Sequence, residues 1–140
     1  MRTALKAFID KPLLGHGPRS FRKICKIKSY QVGETPCNTH PHNFYIQLLS
    51  ETGLVGFSFL FYLLIFFCFK STKYFLEKYF LKKSYLEYTN FQLSLLSSVL
   101  ITIFPITTNG NFFNNNLMIL YFFPLGFIFY SYAKNKNKVN

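Results

Sequence analysis

Hydrophobic positions in this chain occur in long uncharged runs that alternate with blocks of basic residues. The first run, 52–69, contains 18 uncharged residues, and twelve of them are Leu, Val, Ile or Phe. Inserting so apolar a helix into a bilayer is favoured by about 5 kcal/mol. The run therefore predicts a transmembrane helix over 53–69.

A second uncharged run is too long for one membrane span. It covers the 46 residues 88–133, which as a single helix would measure about 70 Å against a hydrocarbon thickness of ~30 Å. A cluster of turn-forming Thr, Asn and Gly residues interrupts the run at 107–116. We therefore predict two more transmembrane helices, over 91–106 and 117–133, joined by this turn.

The overall composition agrees with a membrane protein. The 140 residues are 50% hydrophobic and only 15% charged, which excludes a disordered or collagen-like chain. Sixteen Lys and Arg against five Asp and Glu give a formal net charge of +11. Because the basic residues lie beside the apolar runs, we interpret them as membrane-topology signals and expect no nucleic-acid partner.

The distribution of basic residues predicts the orientation in the membrane. The loop after the first span and the C-terminal tail are basic, whereas the 107–116 turn has no charge: Lys70, Lys73, Lys78, Lys82, Lys83, Lys134, Lys136, Lys138. By the positive-inside rule, the loop and the 134–140 tail are cytoplasmic and residues 1–52 are outside. The eight basic residues of that outer segment do not oppose this, because none falls within 29–51, next to the first span. No signal peptide precedes the outer segment, so we expect further spans upstream in a longer protein.

The first motif of the outer segment is a loop rich in glycine and proline. Residues 12–17 read Pro-Leu-Leu-Gly-His-Gly. They follow residues 1–10, whose apolar positions have helical spacing and predict a short amphipathic helix. Arg19 and Arg22 come directly after the loop, which favours a phosphate-binding role, although no nucleotide-binding glycine motif is present.

The second motif is His-Pro-His-Asn at residues 40–43. Pro41 prevents a helix from continuing through the motif, since a proline nitrogen has no hydrogen to donate. Asn43 has a side chain suited to capping a helix N-terminus. We therefore predict a helix that begins near Phe44 and runs into the first span.

His42 is the candidate for acid–base chemistry in this motif. Imidazole ordinarily titrates near neutral pH, where a general base must work, although a lone histidine often has only a structural role. His42 and Gly53 are eleven positions apart and would lie on nearly one helix face if the helix extended back to His42. Gly53 and Gly56 would then let another helix approach closely.

The cysteines of the outer segment permit two interpretations. Cys25 and Cys37, together with His40 and His42, have the spacing C-x11-C-x2-H-x-H. This spacing matches no familiar zinc motif, so we expect no metal. The alternative is a Cys25–Cys37 disulfide, because both residues fall in the segment assigned to the oxidising side of the membrane. The acidic residues of the segment are scattered, which argues against a glycosidase-type carboxylate pair.

Taken in order, the motifs at 12–17, 40–43 and 51–56 closely resemble the O-antigen ligase and polymerase superfamily of bacterial membrane glycosyltransferases. These proteins pair a P-L-x-G-x-G loop with an H-x-H-N motif whose second histidine is separated from a later glycine by ten intervening residues, as His42 is from Gly53. With the three spans, the resemblance covers essentially the whole chain and corresponds to the C-terminal part of a family member. Its structural motif glycines are Gly15, Gly17, Gly53 and Gly56.

The resemblance implies an all-α integral membrane protein, with three transmembrane helices in 53–133 preceded by an extracytoplasmic loop segment, 1–52, as part of a larger GT-C-like helical bundle. It implies a multi-pass enzyme of the bacterial cytoplasmic (inner) membrane, with residues 1–52 in the periplasm. Such an enzyme transfers a glycan from undecaprenyl diphosphate to an acceptor hydroxyl in cell-surface polysaccharide assembly, without a metal or cofactor. The acceptor would be a glycan, lipid A core or a protein, and membrane lipids would be further partners.

The resemblance also assigns roles to particular residues. His42 would be the catalytic base or orienting group for the acceptor hydroxyl, and Arg19, Arg22 and Asn43 would bind substrate. Guanidinium groups at a membrane surface stabilise the negative charge of a departing diphosphate, which agrees with the arginines. The matched loop does not itself require an arginine at these positions. A further family arginine lies before the stretch matched by residues 1–12, and this chain begins too late to contain it.

Two other functions stay open on the sequence. One is a nonenzymatic three-span membrane subunit, in which the His-Pro-His segment is only an interfacial turn. The other is a transporter fragment, for which intramembrane charge is expected. The predicted spans contain no charged residue, which disfavours the transporter.

Overall fold

The computed structural model describes residues 1–33, 37–82 and 89–139, and in these ranges all regular secondary structure is helical. The predicted all-α class is therefore confirmed. The main helices are α1 (Arg2–Asp10), α2 (Phe21–Ile24), α3 (Phe44–Phe75), α4 (Asn90–Ile103) and α5 (Asn115–Val139). A 3₁₀ turn at Lys28–Tyr30 follows α2, and a π-helical turn at Leu76–Phe80 follows α3.

Among the described residues, one helix is long and apolar enough to cross a membrane, and it is α3 with its π-helical extension, Phe44–Phe80. The apolar helices Asn90–Ile103 and Asn115–Ser131 are shorter. At 1.5 Å per residue, the 14-residue α4 measures about 21 Å, less than the ~30 Å of the hydrocarbon layer. The arrangement of three spans therefore stays a prediction, whereas the single apolar span candidate is observed.

Proline and capping residues fix the ends of α4. A capping box starts the helix: the Thr89 side chain accepts from the Gln92 N–H, and the Gln92 side chain accepts from the Thr89 N–H. The helix stops at Ile103, three residues before the predicted end at 106. The reason is Pro105, which disfavours helical angles at the residue before it, and Phe104 is extended with ψ 133°.

The chain turns between α4 and α5, where the sequence predicted a break. Residues 104–114 are not helical, which confirms a turn near the predicted 107–116. The observed turn begins three residues earlier and ends two residues earlier than predicted. Asn114 Oδ1 accepts hydrogen bonds from Asn116 N at 3.1 Å and Leu117 N at 3.4 Å, which starts α5. This helix continues through Pro124 to Val139.

The chain divides into two compact units, and the predicted division at residues 52 and 133, which concerns membrane topology, stays a prediction. The first unit is Met1–Tyr62 with Pro105–Met118, and the second is Leu63–Phe104 with Ile119–Asn140. The 104–114 turn thus belongs largely to the same unit as the outer segment of the sequence prediction. Of the predicted cytoplasmic loop and tail, residues 83–88 and Asn140 lie outside the described residues.

The second unit contains a polar cluster where a basic loop was predicted. The predicted loop from residue 70 is helical as far as Phe80. Tyr74 is buried there, and its hydroxyl donates to Asn90 Oδ1 at 2.7 Å. Lys78 Nζ donates to the same Oδ1 at 3.1 Å and to the Tyr74 hydroxyl at 3.2 Å. Apart from Gln92 of the capping box, the other buried side chains described in this unit are apolar: Leu64, Phe67, Leu96, Val99 and Ile103.

A break in α3 dominates the first unit. Gly53 has φ 63° and ψ −159°, far from helical values. In a regular helix the N–H groups of Leu54 and Val55 would donate to the carbonyl groups four residues earlier. Here Leu54 N donates to Pro12 O at 2.8 Å and Val55 N to Leu13 O at 3.3 Å. The donors released by the break are therefore satisfied by the loop at 12–17.

The same loop satisfies the two acceptors that the break releases. His16 N donates to Ser50 O at 3.2 Å, and Gly17 N donates to Glu51 O at 2.7 Å. These carbonyl groups are the ones that Leu54 and Val55 would use in an unbroken helix. Four loop hydrogen bonds thus replace two helical ones, so each of the two N–H groups and two carbonyl groups released by the break has a partner.

Two glycines make this close approach possible. A Cβ on Gly15 would lie 2.6 Å from Thr52 N, and a Cβ on Gly53 would lie 2.7 Å from Leu14 N. Both glycines also have positive φ, at 64° and 63°. At Gly53 the segment that approaches closely is this loop, whereas a Cβ on Gly56 would meet the side chain of Thr52 in its own helix. Approach of a second helix to these glycines stays a prediction.

We expect Gly53→Ala to destabilise the protein by about 2–6 kcal/mol. Gly53 has φ 63° and ψ −159°, a backbone conformation that costs a side-chain-bearing residue about 1–3 kcal/mol, and forcing a methyl group into an occupied site adds about 1–3 kcal/mol. Gly33→Ala is the matched control, because Gly33 has φ 87° but open space around its Cβ position, and it should cost only the first amount. Circular dichroism during denaturation in detergent measures both. Equal losses for the two variants would show that the loop does not press on Gly53.

Candidate functional site

Arg19 is held between α3 and the 104–114 turn. Its φ is 59°, and its backbone N–H donates to Glu51 Oε2 at 3.0 Å. Its guanidinium donates from Nε and Nη2 to Phe113 O at 2.9 and 2.6 Å, and from Nη2 to Asn115 Oδ1 at 3.4 Å. The side chain nevertheless stays solvent-exposed.

Arg22 lies on α2 and is also exposed. Its Nε donates to Thr39 O at 3.4 Å. Arg19 and Arg22 line one cavity of about 570 Å³, whose other lining residues are polar except for Phe113: Thr39, Glu51, Asn111, Asn114, Asn115 and Asn116. The structure therefore brings together the two arginines predicted to bind substrate.

Glu51 determines where both arginines lie, and sequence reasoning missed it. Its side chain is 1% exposed. Oε2 accepts from Arg19 N at 3.0 Å and from Gln47 Nε2 at 3.2 Å, and Oε1 accepts from Phe21 N at 2.8 Å. Because it fixes the backbone on both sides of Ser20, it sets the start of α2 and hence the position of Arg22. The one indication of its importance in the sequence was that Glu51 is the first residue of the 51–56 motif.

Gln47 extends this buried network to the 104–114 turn. Its Nε2 donates to Asn111 Oδ1 at 2.8 Å, and its Oε1 accepts from Phe112 N at 2.9 Å. The residue is fully buried. The sequence analysis also missed Gln47. Its position one helical turn before Glu51 could have indicated that the two side chains lie close enough to form a hydrogen bond. The network joins α3, the loop before α2 and the turn before α5.

His42 lies just outside α3, with consequences for its predicted geometry. Its φ is 60°, and its carbonyl accepts from Asn109 N at 2.9 Å. The helix begins at Phe44 and is broken at Gly53, so the expectation that His42 and Gly53 share one continuous helix face is wrong. The proline of the motif and the positive φ at His42 are the local reasons.

The exposed side chain of His42 lines a second cavity, of about 440 Å³. Arg22 and Thr39 line this cavity as well as the first one. These two residues therefore form a wall between the cavities. The remaining lining residues are Lys26, Cys37 and Asn38.

His40 stands beside His42 but faces a different space. The two imidazole centroids are 4.2 Å apart, and His40 Nδ1 is 2.9 Å from Thr39 Oγ1. Partial burial lowers the pKa of His40, and the positive charges of His42 when protonated and of Arg22 lower it further. His40 lines a third cavity, of about 210 Å³.

Asn43 has a structural role in the described contacts. Its Oδ1 accepts from Tyr45 N at 3.0 Å and Ile46 N at 3.1 Å, so the predicted cap of α3 is confirmed. Its Nδ2 donates to Pro105 O at 2.7 Å, and the side chain is buried. Both polar atoms of the Asn43 side chain therefore contact the protein itself. A role of Asn43 in binding substrate stays a prediction.

The sulfur atoms of Cys25 and Cys37 form a disulfide. Bonded sulfurs cannot act as thiolate ligands, which excludes the four-residue metal site with His40 and His42. Across the described parts of the chain, no group of three His, Cys, Asp or Glu side chains is placed to hold a metal ion. The disulfide connects the end of α2 to residues 37–39, which supply the Thr39 carbonyl to Arg22.

The fold and site define a helical protein with one apolar helix long enough to cross a membrane and an arginine- and histidine-bearing site at its start. Residues 1–61 match the family model described as O-Antigen ligase. The match covers 61 of the 140 residues, so the motif-bearing segment is similar to the O-antigen ligase family. It is narrower than the resemblance over the whole chain that we expected. No curated protein and no solved structure matches the chain.

We expect Glu51→Gln to loosen the backbone around both arginines. The amide would offer a donor where the carboxylate accepts N–H groups, and each buried hydrogen bond to a charged group contributes about 1.5–3 kcal/mol. Cleavage by trypsin after Arg19 and Arg22 should rise at least about tenfold for a loss of that size. Glu77→Gln, which removes a carboxylate in the second unit, is the control and should leave these cleavages unchanged. Unchanged cleavage in Glu51→Gln would contradict the positioning role.

Proposed function

We propose that the chain is part of an O-antigen ligase-type glycosyltransferase that transfers a glycan from undecaprenyl diphosphate to an acceptor hydroxyl. The observation that carries this proposal is the pair of adjoining cavities. One contains Arg19 and Arg22, the other contains His42, and Arg22 belongs to both. All three residues lie within the segment matched by the family model.

The arginine cavity is the proposed site of the carrier diphosphate. Its volume of about 570 Å³ is in the range of ordinary ligand pockets. A guanidinium has five N–H donors, and the contacts of Arg19 to Phe113 and Asn115 use three of them at most. The remaining donors of Arg19 and those of Arg22 are suited to phosphate oxygens, which arginine binds as a fork.

His42 is the proposed base for the acceptor. The acceptor oxygen attacks the anomeric carbon of the glycan, its proton passes to the imidazole, and the bond from that carbon to the diphosphate oxygen breaks. The diphosphate leaves with the electron pair, and the guanidinium groups stabilise its charge. Because they supply the positive charge, the proposed reaction does not require a metal ion.

The proposed location is the bacterial cytoplasmic membrane, with residues 1–52 in the periplasm and three spans. Two observations support it. The segment Pro105–Met118 belongs to the same compact unit as Met1–Tyr62, as expected if both lie on one side of the membrane. The Cys25–Cys37 disulfide suits an oxidising compartment. The acceptor class, whether glycan, lipid A core or protein, belongs to this proposal, as does contact with membrane lipids.

Replacing the arginines tests the carrier site. Arg19→Ala and Arg22→Ala should each raise the KM for an undecaprenyl diphosphate-linked glycan about 10–100-fold, the value of a charged hydrogen bond. Arg19→Lys should restore only part of the loss, since an ammonium group cannot form the forked contact. Lys23→Ala removes a neighbouring charge that lines neither cavity and should have no comparable effect. If Lys23→Ala weakens carrier use as much as the arginine variants do, the effect is bulk charge and not a phosphate site.

The variant His42→Asn tests the catalytic base. Asparagine tolerates positive φ better than alanine does, so this change removes the imidazole while keeping the backbone of the motif. We expect kcat to fall about 10²–10⁴-fold, the usual contribution of general-base catalysis, with the KM for the carrier little changed. His40→Asn is the matched control and should retain most of the activity. Full transfer by a folded His42→Asn protein would contradict the catalytic role of His42 and favour a purely structural role for the His-Pro-His turn.

A further inference from the structure

Helix α1 has one side packed against the protein. Thr3, Ala4 and Ala7 are buried on this side. Ala4 packs in a cluster with Phe21 and Cys25, next to the loop that carries the arginines. Small side chains at these positions let the helix lie close to that loop.

Contacts from two aromatic residues fix how α1 is rotated about its axis. His16 Nε2 lies 2.9 Å from Ala7 O, and the Tyr30 hydroxyl donates to Asp10 Oδ2 at 2.7 Å. The His16 and Tyr30 rings also contact each other edge to face, with centroids 5.6 Å apart. The orientation of the opposite side of the helix is therefore set by the fold.

The opposite side of α1 presents a ridge of large apolar side chains to the surroundings. Leu5 and Ile9 are one helical turn apart and are 41% and 75% exposed. The loop after the helix continues the apolar surface with Leu13 and Leu14, at 66% and 74% exposure. We call these four residues the apolar ridge.

Basic side chains border the apolar ridge. Arg2 and Lys6 are one turn apart and exposed, on the sector of the helix between the ridge and the side that carries Asp10. Lys11 is exposed just after the helix. An apolar ridge beside a basic one is the pattern of a helix that lies in the plane of a membrane surface.

The apolar ridge continues into the start of the apolar part of α3. The Pro12 and Leu13 carbonyl groups accept from Leu54 and Val55. Leu54 and Val55 are themselves exposed and are the first residues of α3 beyond the break at Gly53. The ridge is thus attached at the level where the membrane-crossing candidate begins.

We propose that the apolar ridge docks into the surface of the lipid bilayer, with Leu5, Ile9, Leu13 and Leu14 among the acyl chains. Arg2, Lys6 and Lys11 then lie among anionic lipid headgroups, which attract basic residues at membrane surfaces. A second copy of the chain is a poorer occupant, because it would bring the same cations face to face. The inference rests on α3 crossing the membrane, as in the proposed function. Docking would hold the arginine cavity at headgroup level, where the diphosphate of a lipid carrier lies.

Spin-label depth measurements on the full chain in vesicles test this inference. Single cysteines at Leu5, Ile9 and Leu14, in a Cys68→Ser background that keeps the disulfide, are labelled with a nitroxide. The vesicles contain equal amounts of phosphatidylglycerol and phosphatidylethanolamine. Collision rates with oxygen, which concentrates in the bilayer, and with a water-soluble nickel chelate are then compared. We expect oxygen to dominate at the three ridge positions and nickel to dominate at Lys28, an exposed position on the 3₁₀ turn.

Two controls make the outcome specific. A label at Phe59, exposed on α3, reports whether that helix is in the bilayer: oxygen at Phe59 with nickel at Ile9 overturns this inference alone, whereas nickel at both overturns the membrane assignment as well. Exclusion of both reagents at the ridge would show a protein partner or a second copy there and would also overturn it. Replacing Arg2 and Lys6 with Gln should shift the labels toward nickel in these vesicles and not in pure phosphatidylcholine, because the attraction is to anionic lipid.

Discussion

The exchange of backbone hydrogen bonds between the 12–17 loop and the break in α3 is the interaction on which the site depends. Breaking two backbone hydrogen bonds inside a helix is unfavourable, because each buried N–H or C=O group left without a partner costs about 1–3 kcal/mol. The loop meets all four groups. It can do so because Gly15 and Gly53 have no Cβ to collide with the facing backbone. Both arginines follow the loop directly in sequence, so this contact helps to place them.

A buried polar network extends the same constraint to two further segments. The Glu51 carboxylate accepts hydrogen bonds from the backbone N–H groups of Arg19 and Phe21. Gln47 hydrogen-bonds to Glu51 and also to Asn111 and Phe112. Inside a protein such groups are strongly coupled, and a network of this kind is favourable only when its members are satisfied. The first two turns of α3 thus serve as the support for the arginine loop on one side and for the 104–114 turn on the other.

The chemistry proposed for the site uses residues held in unusual backbone conformations. Arg19 and His42 both have φ near 60°, which costs a side-chain-bearing residue on the order of 1–3 kcal/mol. Each is retained by hydrogen bonds of its own backbone, from Arg19 N to Glu51 and from Asn109 N to the His42 carbonyl. In these conformations Arg19 lines one cavity and His42 lines another, and Arg22 lines both.

The sequence by itself determined the features that depend on neighbouring residues. The helical spacing of apolar residues predicted α1, and Asn43 after Pro41 predicted the start of α3. The Asn-rich stretch predicted the turn before α5. The ordered motifs predicted a resemblance to the O-antigen ligase family, and the match over residues 1–61 supports it. The tertiary structure alone decided the break-and-loop contact, the roles of Glu51 and Gln47, and the choice between a disulfide and a metal site. Glu51 receives N–H groups from residues 30 and 32 positions away, and Arg19 reaches a carbonyl 94 positions away. A local pattern cannot encode such pairings, because they depend on which distant backbone groups the folded chain leaves without a partner.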